Sequence, residues 1–234
     1  GVQTCALPIC SGSNQRSDGY GGPIGNRARF LQEVMQAVVD ACDETFEIGA
    51  DVVSPATGAA LRVLARSMAA RNICEIGTST GGAALWLLDG AGESGHLTSI
   101  DTDGEHHRIA REIFTAAEVP APRSRLITGR PAEVLPRMAD GAYDMVVIAT
   151  NTNDLNPLLD QAVRLLRLGG VIVLLDAFGG GKVGDPAQRD TATVSRRLLV
   201  QRIGNDPRLT PSLLPVGDGL LIAVVNRYDF PADL

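Results

Sequence analysis

The chain is short of aromatic residues, basic stripes, long apolar runs and patterned cysteines, and each shortage removes a class of protein. Lysine and arginine number 21 against 27 acids, a net charge of −6 with no basic cluster, which argues against nucleic acid as the main partner and leaves small molecules. Apolar runs such as Ala83–Leu88 and Val171–Leu175 fall far short of the ~20 residues of a membrane helix and read as core elements. Gly1–Cys10 lacks the basic flank and apolar stretch of a signal peptide. Four cysteines without paired spacing exclude a disulfide framework and point to a reducing compartment, the cytoplasm. Cys42 and Cys74 sit in apolar surroundings and read as small core residues. The histidines, His96, His106 and His107, show no metal spacing; the last two, beside Glu105 and Arg108, read as an exposed helix face.

What remains is an ordinary globular composition, and 234 residues suffice for one α/β domain with a proper core. Residues 1–9 read like the translation of a sequencing-library adapter, so 1–10 are set outside the fold together with Cys5 and Cys10. Residues 11–26, rich in glycine, serine and asparagine, read as a disordered lead-in, which makes 27–234 the domain. Phe30, Leu31, Val34, Met35, Val38, Ala41 and Cys42 recur at helical spacing, predicting a helix over Arg27–Ile48. A second starts after Ser54, a capping residue followed by Pro55, and is expected to reach Ala70.

Strands and helices then alternate. Expected strands are Asn72–Ile76, Leu97–Ile100, Arg125–Thr128, Tyr143–Ile148 and Val171–Leu175. Between and after them lie expected helices over Gly82–Leu88, Glu105–Ala117, Ala132–Met138, Leu155–Leu168 and Pro186–Ile203. Near-continuous apolar strands separated by helices imply a mostly parallel, doubly wound sheet covered on both faces. Leu213–Val216 and Leu220–Val225, joined by Gly217-Asp218-Gly219, read as an antiparallel hairpin closing it.

Such sheets bind ligands at the carboxyl ends of their strands near the topological switch point. The first strand ends in Glu75-Ile-Gly77-Thr78-Ser79-Thr-Gly81-Gly82, a turn that opens a helix. A dinucleotide fingerprint places glycine where Ser79 stands, and a phosphate loop ends in lysine, which is missing. A phosphate-free cofactor remains, whose cationic sulfonium and amino group suit an acidic neighbour such as Glu75. Asp101, about twenty residues on at the next strand end, suits two ribose hydroxyls. The bland alternative is a helix N-terminus with a capping Asp.

From about Val53 to Val225 the sequence resembles the catechol O-methyltransferase-like family of class I methyltransferases, especially its bacterial O-methyltransferases. The resemblance rests on Val53-Ser-Pro55, Glu75-Ile-Gly-Thr78, Leu97-Thr-Ser-Ile-Asp101, Leu165-Leu-Arg-Leu-Gly-Gly170 and Leu214-Pro-Val-Gly-Asp-Gly-Leu220. It implies a Rossmann-like, seven-stranded fold, S-adenosylmethionine as cofactor, a small-molecule hydroxyl as acceptor and a homodimer. By resemblance, Val53 flanks the methionine moiety and Glu75, Gly77, Thr78, Ser79 and Gly81 form the cofactor turn. Asp101 binds ribose, and the Gly129–Ala132 turn, with Pro131 and Ala132, borders the adenine. Ala83 stands where relatives often place a serine touching the cofactor carboxylate.

The acceptor side departs further. Many relatives hold a divalent cation with an Asp at the fourth strand's end and an Asp-Asn pair at the fifth. Here those positions read Ala149 and Asp176-Ala177, and Thr152 replaces a lysine used as a base. Only Asp176 survives, so a divalent metal is not expected, although Asn151, Asn153 or Asp154 could lend an oxygen. Asp176 is the candidate general base, or else a structural cap for the loop Phe178–Gly181. Lys182 could meet an anionic acceptor or simply be solvated. Two alternatives stay open: a degenerate fold that binds cofactor or a partner without catalysis, and a nicotinamide-dependent oxidoreductase, which Ser79 disfavours.

Overall fold

The computed structural model of the chain describes residues 53–150 and 155–226, with Pro23 alone before them. Apart from Pro23, the lead-in lies outside the described residues, as do the helix expected over Arg27–Ile48, Cys42 and the loop residues Asn151, Thr152, Asn153 and Asp154.

Helix α1, Pro55–Ser67, begins as its sequence dictates: Ser54 is extended and its Oγ accepts the Thr57 N–H at 3.1 Å. It stops three residues short of the expected end because Ala69 turns left-handed, at φ +49°. Strand β1 (Asn72–Ile76), helix α2 (Gly82–Ala91), β2 (His96–Asp101), helix α3 (Gly104–Ala116) and β3 (Ser124–Thr128) follow. Asp103 caps α3 by accepting the Glu105 N–H at 2.8 Å. The single-turn helix α4 (Pro131–Val134), β4 (Tyr143–Ile148), helix α5 (Asn156–Leu165), β5 (Leu166–Leu174), helix α6 (Thr191–Asn205), β6 (Leu209–Leu214) and β7 (Leu220–Val225) complete the order.

The seven strands run β3-β2-β1-β4-β5-β7-β6 across one sheet. The first five are parallel, while β7 is antiparallel to both β5 and β6 and lies between them. The doubly wound, mostly parallel sheet with a C-terminal hairpin is therefore present. Side chains alternate across it. Ile73, Leu97, Met145, Val147 and Val173 join the core beneath α1, α2 and α3, and Ile76, Ile100, Val146, Ile148 and Leu174 join that beneath α5 and α6. Burial on both faces explains why these strands read as unbroken apolar runs.

Other boundaries also differ from the sequence expectation. The helix expected to reach Leu168 ends at Leu165, because Leu166 is already extended (φ −78°, ψ 140°) and pairs with Tyr143. The register shifts before Val171, where Gly169 is left-handed at φ +73°. Helix α6 starts at Thr191 rather than Pro186, where Asp190 accepts the Thr193 N–H at 2.9 Å. The segment Ala132–Met138 divides into α4 and a 3₁₀ turn over Leu135–Arg137. The first hairpin strand starts at Leu209, just after Asp206 accepts the Arg208 N–H and turns the chain out of α6.

Helices α1 and α2 cross at glycine. A Cβ on Gly90 would stand 2.5 Å from the Arg62 carbonyl oxygen, and one on Gly58 would overlap the Trp86 indole, which is 8% exposed. Gly58→Ala is expected to lower stability by ~1–3 kcal/mol through overpacking, a loss of several degrees read by thermal melting. An unchanged melting temperature would show that the two helices separate at little cost.

Candidate functional site

The strand order reverses between β1 and β4, and the turn after β1 sits at that switch point. The hydrogen-bond ladder continues past the strand ends: Gly77 N–H donates to Ile100 O, Ala149 N–H to Ile76 O and Gly129 N–H to Asp101 O, each at 2.8 Å. Gly77 has φ +98°, and a Cβ there would lie 2.6 Å from the Ala149 carbonyl oxygen, so only glycine fits against β4. Ser79 also takes the left-handed region, at φ +48°, a conformation that costs ~1–3 kcal/mol in a non-glycine residue and clusters at functional sites. Gly81, at φ +88°, caps α2, and Ala83 begins its buried face at 3% exposure.

Asp101 is tied into this turn. Its Oδ2 accepts the Ser79 N–H at 3.0 Å and stands 3.2 Å from His106 Nδ1, while Oδ1 accepts the Asp103 N–H at 2.9 Å. A carboxylate has about four acceptor positions, so a further donor fits directly and a second would displace the long His106 contact. Thr128 ends the next strand, and the turn Gly129–Ala132 that follows brings Pro131, half-buried, and Ala132, exposed, to the same edge. Val53 is half-buried against the α1 side of the core.

Glu75 lies one residue before the end of β1, on the face that carries Ile73, and is 0% exposed. Its Oε2 accepts from Ser99 Oγ at 2.5 Å, while Oε1 is buried without any hydrogen-bond partner. An unpaired buried acceptor is costly and points to a group that joins it. Burial pushes the Glu75 carboxyl up to about 8; the Ser99 hydrogen bond opposes this and the Asp101 charge adds to it. Burial also pushes the neighbouring Cys74 thiol up to about 12, which keeps it an inert core group as expected.

The raised Glu75 value has a consequence for stability. Between 4.5, its ordinary value, and about 8, the folded protein holds a proton that the unfolded chain releases, so stability falls as pH rises. Glu75→Gln removes that loss. The variant is expected to match the parent near pH 4.5 and to melt at least ~2–4 °C higher at pH 8, equivalent to ~1 kcal/mol. A gap that does not widen with pH would show that Glu75 is ionised in the folded protein.

His107 corrects the sequence reading. It is 0% exposed rather than part of a polar face, with Nε2 2.9 Å from Thr78 Oγ1 and Nδ1 2.8 Å from Thr128 Oγ1. Only His106 is partly open; the outer face of α3 carries Arg108 between Glu105 and Glu112. The missed signal is spacing: His107, Ala110 and Phe114 share one buried stripe of α3.

At the acceptor side, Asp176 follows β5 at φ +52°, half-buried. It lines a cleft of about 350 Å³ with Lys182, Asp190, Thr193, Arg196 and Asp218. Arg196, also missed, is 6% exposed and donates to the carbonyls of Leu175 at 2.7 Å, Asp176 at 2.9 Å and Thr150 at 3.2 Å. Its spacing from Leu199 and Ile203 marks the inner face of α6. Asp218 accepts the Gly180 N–H at 2.5 Å, which ties the hairpin turn to the glycine loop carrying Lys182. Ala177 is 1% exposed and packs in the core beneath α5 and α6, and Ala149 packs against the opposite core. No group of three or more His, Cys, Asp or Glu able to hold a metal occurs among the described residues.

A glycine turn at the switch point of a doubly wound sheet, with an acid tied to it from the next strand, defines a Rossmann-like protein that binds its ligand at the carboxyl edge. The chain belongs to the O-methyltransferase family, whose model matches residues 26–226. It is similar to a provisionally named O-methyltransferase of Mycobacterium marinum, 41% identical over 220 residues that cover 91% of this chain and 98% of that one. Among solved structures it is similar to the Bacillus cereus O-methyltransferase in complex with S-adenosylhomocysteine, at TM-score 0.74 and 25% identity, covering 82% of this chain and 91% of that one. It is also similar to TomG of Streptomyces achromogenes, an O-methyltransferase of tomaymycin synthesis in complex with S-adenosylmethionine. There the TM-score is 0.74 and the identity 28%, over 82% of this chain and 90% of that one.

Proposed function

We propose that this chain transfers a methyl group from S-adenosylmethionine to a hydroxyl of a small molecule, without a divalent cation held at the strand ends. The observation that carries the cofactor half is the buried Glu75 carboxyl group, with one oxygen unpartnered, beneath a glycine turn joined to Asp101. Those donors and acceptors fit the group: Asp101 takes the ribose hydroxyls, Glu75 Oε1 faces the cationic amino-acid end, and Gly129–Ala132 borders the adenine. Val53 and Ala83 flank the methionine moiety, where Ala83 forgoes one hydrogen bond at a cost of ~0.5–1.5 kcal/mol. Bound S-adenosylmethionine supplies a methyl group on a sulfonium leaving group.

The residues' task is then alignment. Methyl transfer is an in-line displacement, so holding the acceptor opposite the sulfur supplies much of the acceleration. In this reading Asp176, whose carbonyl accepts from Arg196 just beyond β5, takes the acceptor's proton. Ala149 and Ala177 favour a reaction that does not route through a metal, and they equally favour the second reading, a fold that binds cofactor without turning over. Residues 27–234 form the functional unit, and a homodimer is part of the same proposal, read by sedimentation.

The test is calorimetric titration with S-adenosylmethionine and S-adenosylhomocysteine, with and without Mg²⁺, followed by turnover on a panel of small phenols and alcohols. Binding and turnover that survive a chelator support the proposal. Turnover restored only by Mg²⁺ overturns the metal-free half, binding without turnover favours the second reading, and absence of binding overturns the cofactor.

A further inference from the structure

Five polar side chains lie end to end beneath the cofactor turn. Ser99 Oγ is 2.5 Å from Glu75 Oε2 and 2.6 Å from Thr78 Oγ1. Thr78 Oγ1 is 2.9 Å from His107 Nε2, and His107 Nδ1 is 2.8 Å from Thr128 Oγ1. The first four are buried, whereas Thr128 is exposed. The series therefore joins an interior carboxyl to solvent.

Each hydroxyl has one proton to give, so the Glu75 end sets the direction of every bond. With Glu75 ionised, Ser99 donates to Glu75, Thr78 to Ser99, His107 Nε2–H to Thr78, and Thr128 to His107 Nδ1. With a proton on Glu75 Oε2 every bond reverses, and His107 carries its proton on Nδ1 and donates to Thr128. The ring is neutral in both arrangements, in keeping with the burial that lowers its pKa.

We propose that this series is a proton path: as the cationic cofactor seats against Glu75 Oε1, the Glu75 proton leaves along it to water at Thr128. His107 is the positioning residue whose tautomer turns over. The inference rests on the proposed S-adenosylmethionine site. The Glu75 Oε2–H bond breaks as Ser99 Oγ–H forms. The Ser99 proton passes to Thr78, that of Thr78 to His107 Nε2, that of Nδ1 to Thr128, and that of Thr128 to water. The net result is an anionic Glu75 and one hydronium. Around the path, Asp101 on β2 opposes ionisation of Glu75, and a bound cation offsets it. Asp103, His106 and Arg111 surround the ring on the α3 side, the Cys74 thiol adjoins Glu75, and its β4 neighbour, Val147, is apolar.

The experiment is nitrogen-15 NMR of the histidine-labelled full chain at pH 7, titrated with S-adenosylhomocysteine and S-adenosylmethionine. Calorimetry in two buffers of different ionisation enthalpy runs beside it. The expected result is release of about one proton per cofactor bound and a change of His107 from the Nδ1–H to the Nε2–H tautomer. Glu75→Gln is expected to abolish both, and Ser99→Ala to leave the ring unresponsive, a readout that a merely structural histidine would not move. Binding with an unchanged ring, or without proton release, overturns the path and leaves the cofactor site standing. Absence of binding of either compound overturns both.

Discussion

Asp101→Ala is expected to lower the affinity for S-adenosylmethionine about a hundredfold while the protein stays folded. Hydrogen bonds to a charged group contribute ~1.5–3 kcal/mol each, and two ribose hydroxyls place the loss near ~3 kcal/mol or above. That energy corresponds to about two decades in dissociation constant. The carboxylate has a second task, because its Oδ2 accepts the Ser79 N–H and fixes the turn in its left-handed form. Asp101→Asn keeps an acceptor for that N–H and is expected to lose less than alanine does. Calorimetric titration beside a thermal melt reads both quantities. A change below threefold with an unaltered melt would remove Asp101 from the site.

Arg196→Ala is expected to lower the melting temperature by about 6–12 °C, corresponding to ~3 kcal/mol in a domain of this size. The guanidinium reaches three carbonyl oxygens, two at the end of β5 and one beyond β4, from a position 6% exposed to solvent. Each carbonyl left without a donor costs ~1–3 kcal/mol. Arg196→Lys restores the charge but not the planar fork that spans two strands, so it is expected to recover only part of the loss. Because Asp176 is held by its own carbonyl on Arg196, turnover should fall further than stability alone explains. A melt within about 2 °C of the parent would show that water replaces the guanidinium at those carbonyls.

The legible parts of this molecule were those that depend on neighbours in sequence. Ser54 and Pro55 announce α1, five apolar runs announce the parallel strands, and Gly217-Asp218-Gly219 announces the hairpin. Family membership was legible in the same way, through contiguous stretches. What escaped depends on partners far along the chain. His107 reads as polar beside Glu105 and Arg108, and its burial follows from Thr78 and Thr128, each more than twenty residues away. Arg196 reads as a surface arginine until carbonyls 20 and 46 residues distant gather around it. The end of α5 was misplaced for a related reason: Leu166 pairs with Tyr143, and helical periodicity cannot see a strand partner.

The seat of β7 between β5 and β6 governs the order in which this sheet can be completed. β6 leaves the ribosome before β7, yet among the described residues all its ladder partners belong to β7, so it waits for Leu220–Val225 to emerge. Until then the edge of β5 is bare as well, and an exposed strand edge is a template for wrong pairing. A nascent chain halted at Gly219 would thus lack not one strand but two, along with the Asp218 turn settled on the glycine loop. Closure of the acceptor side therefore waits on the strand that fills the gap between β5 and β6.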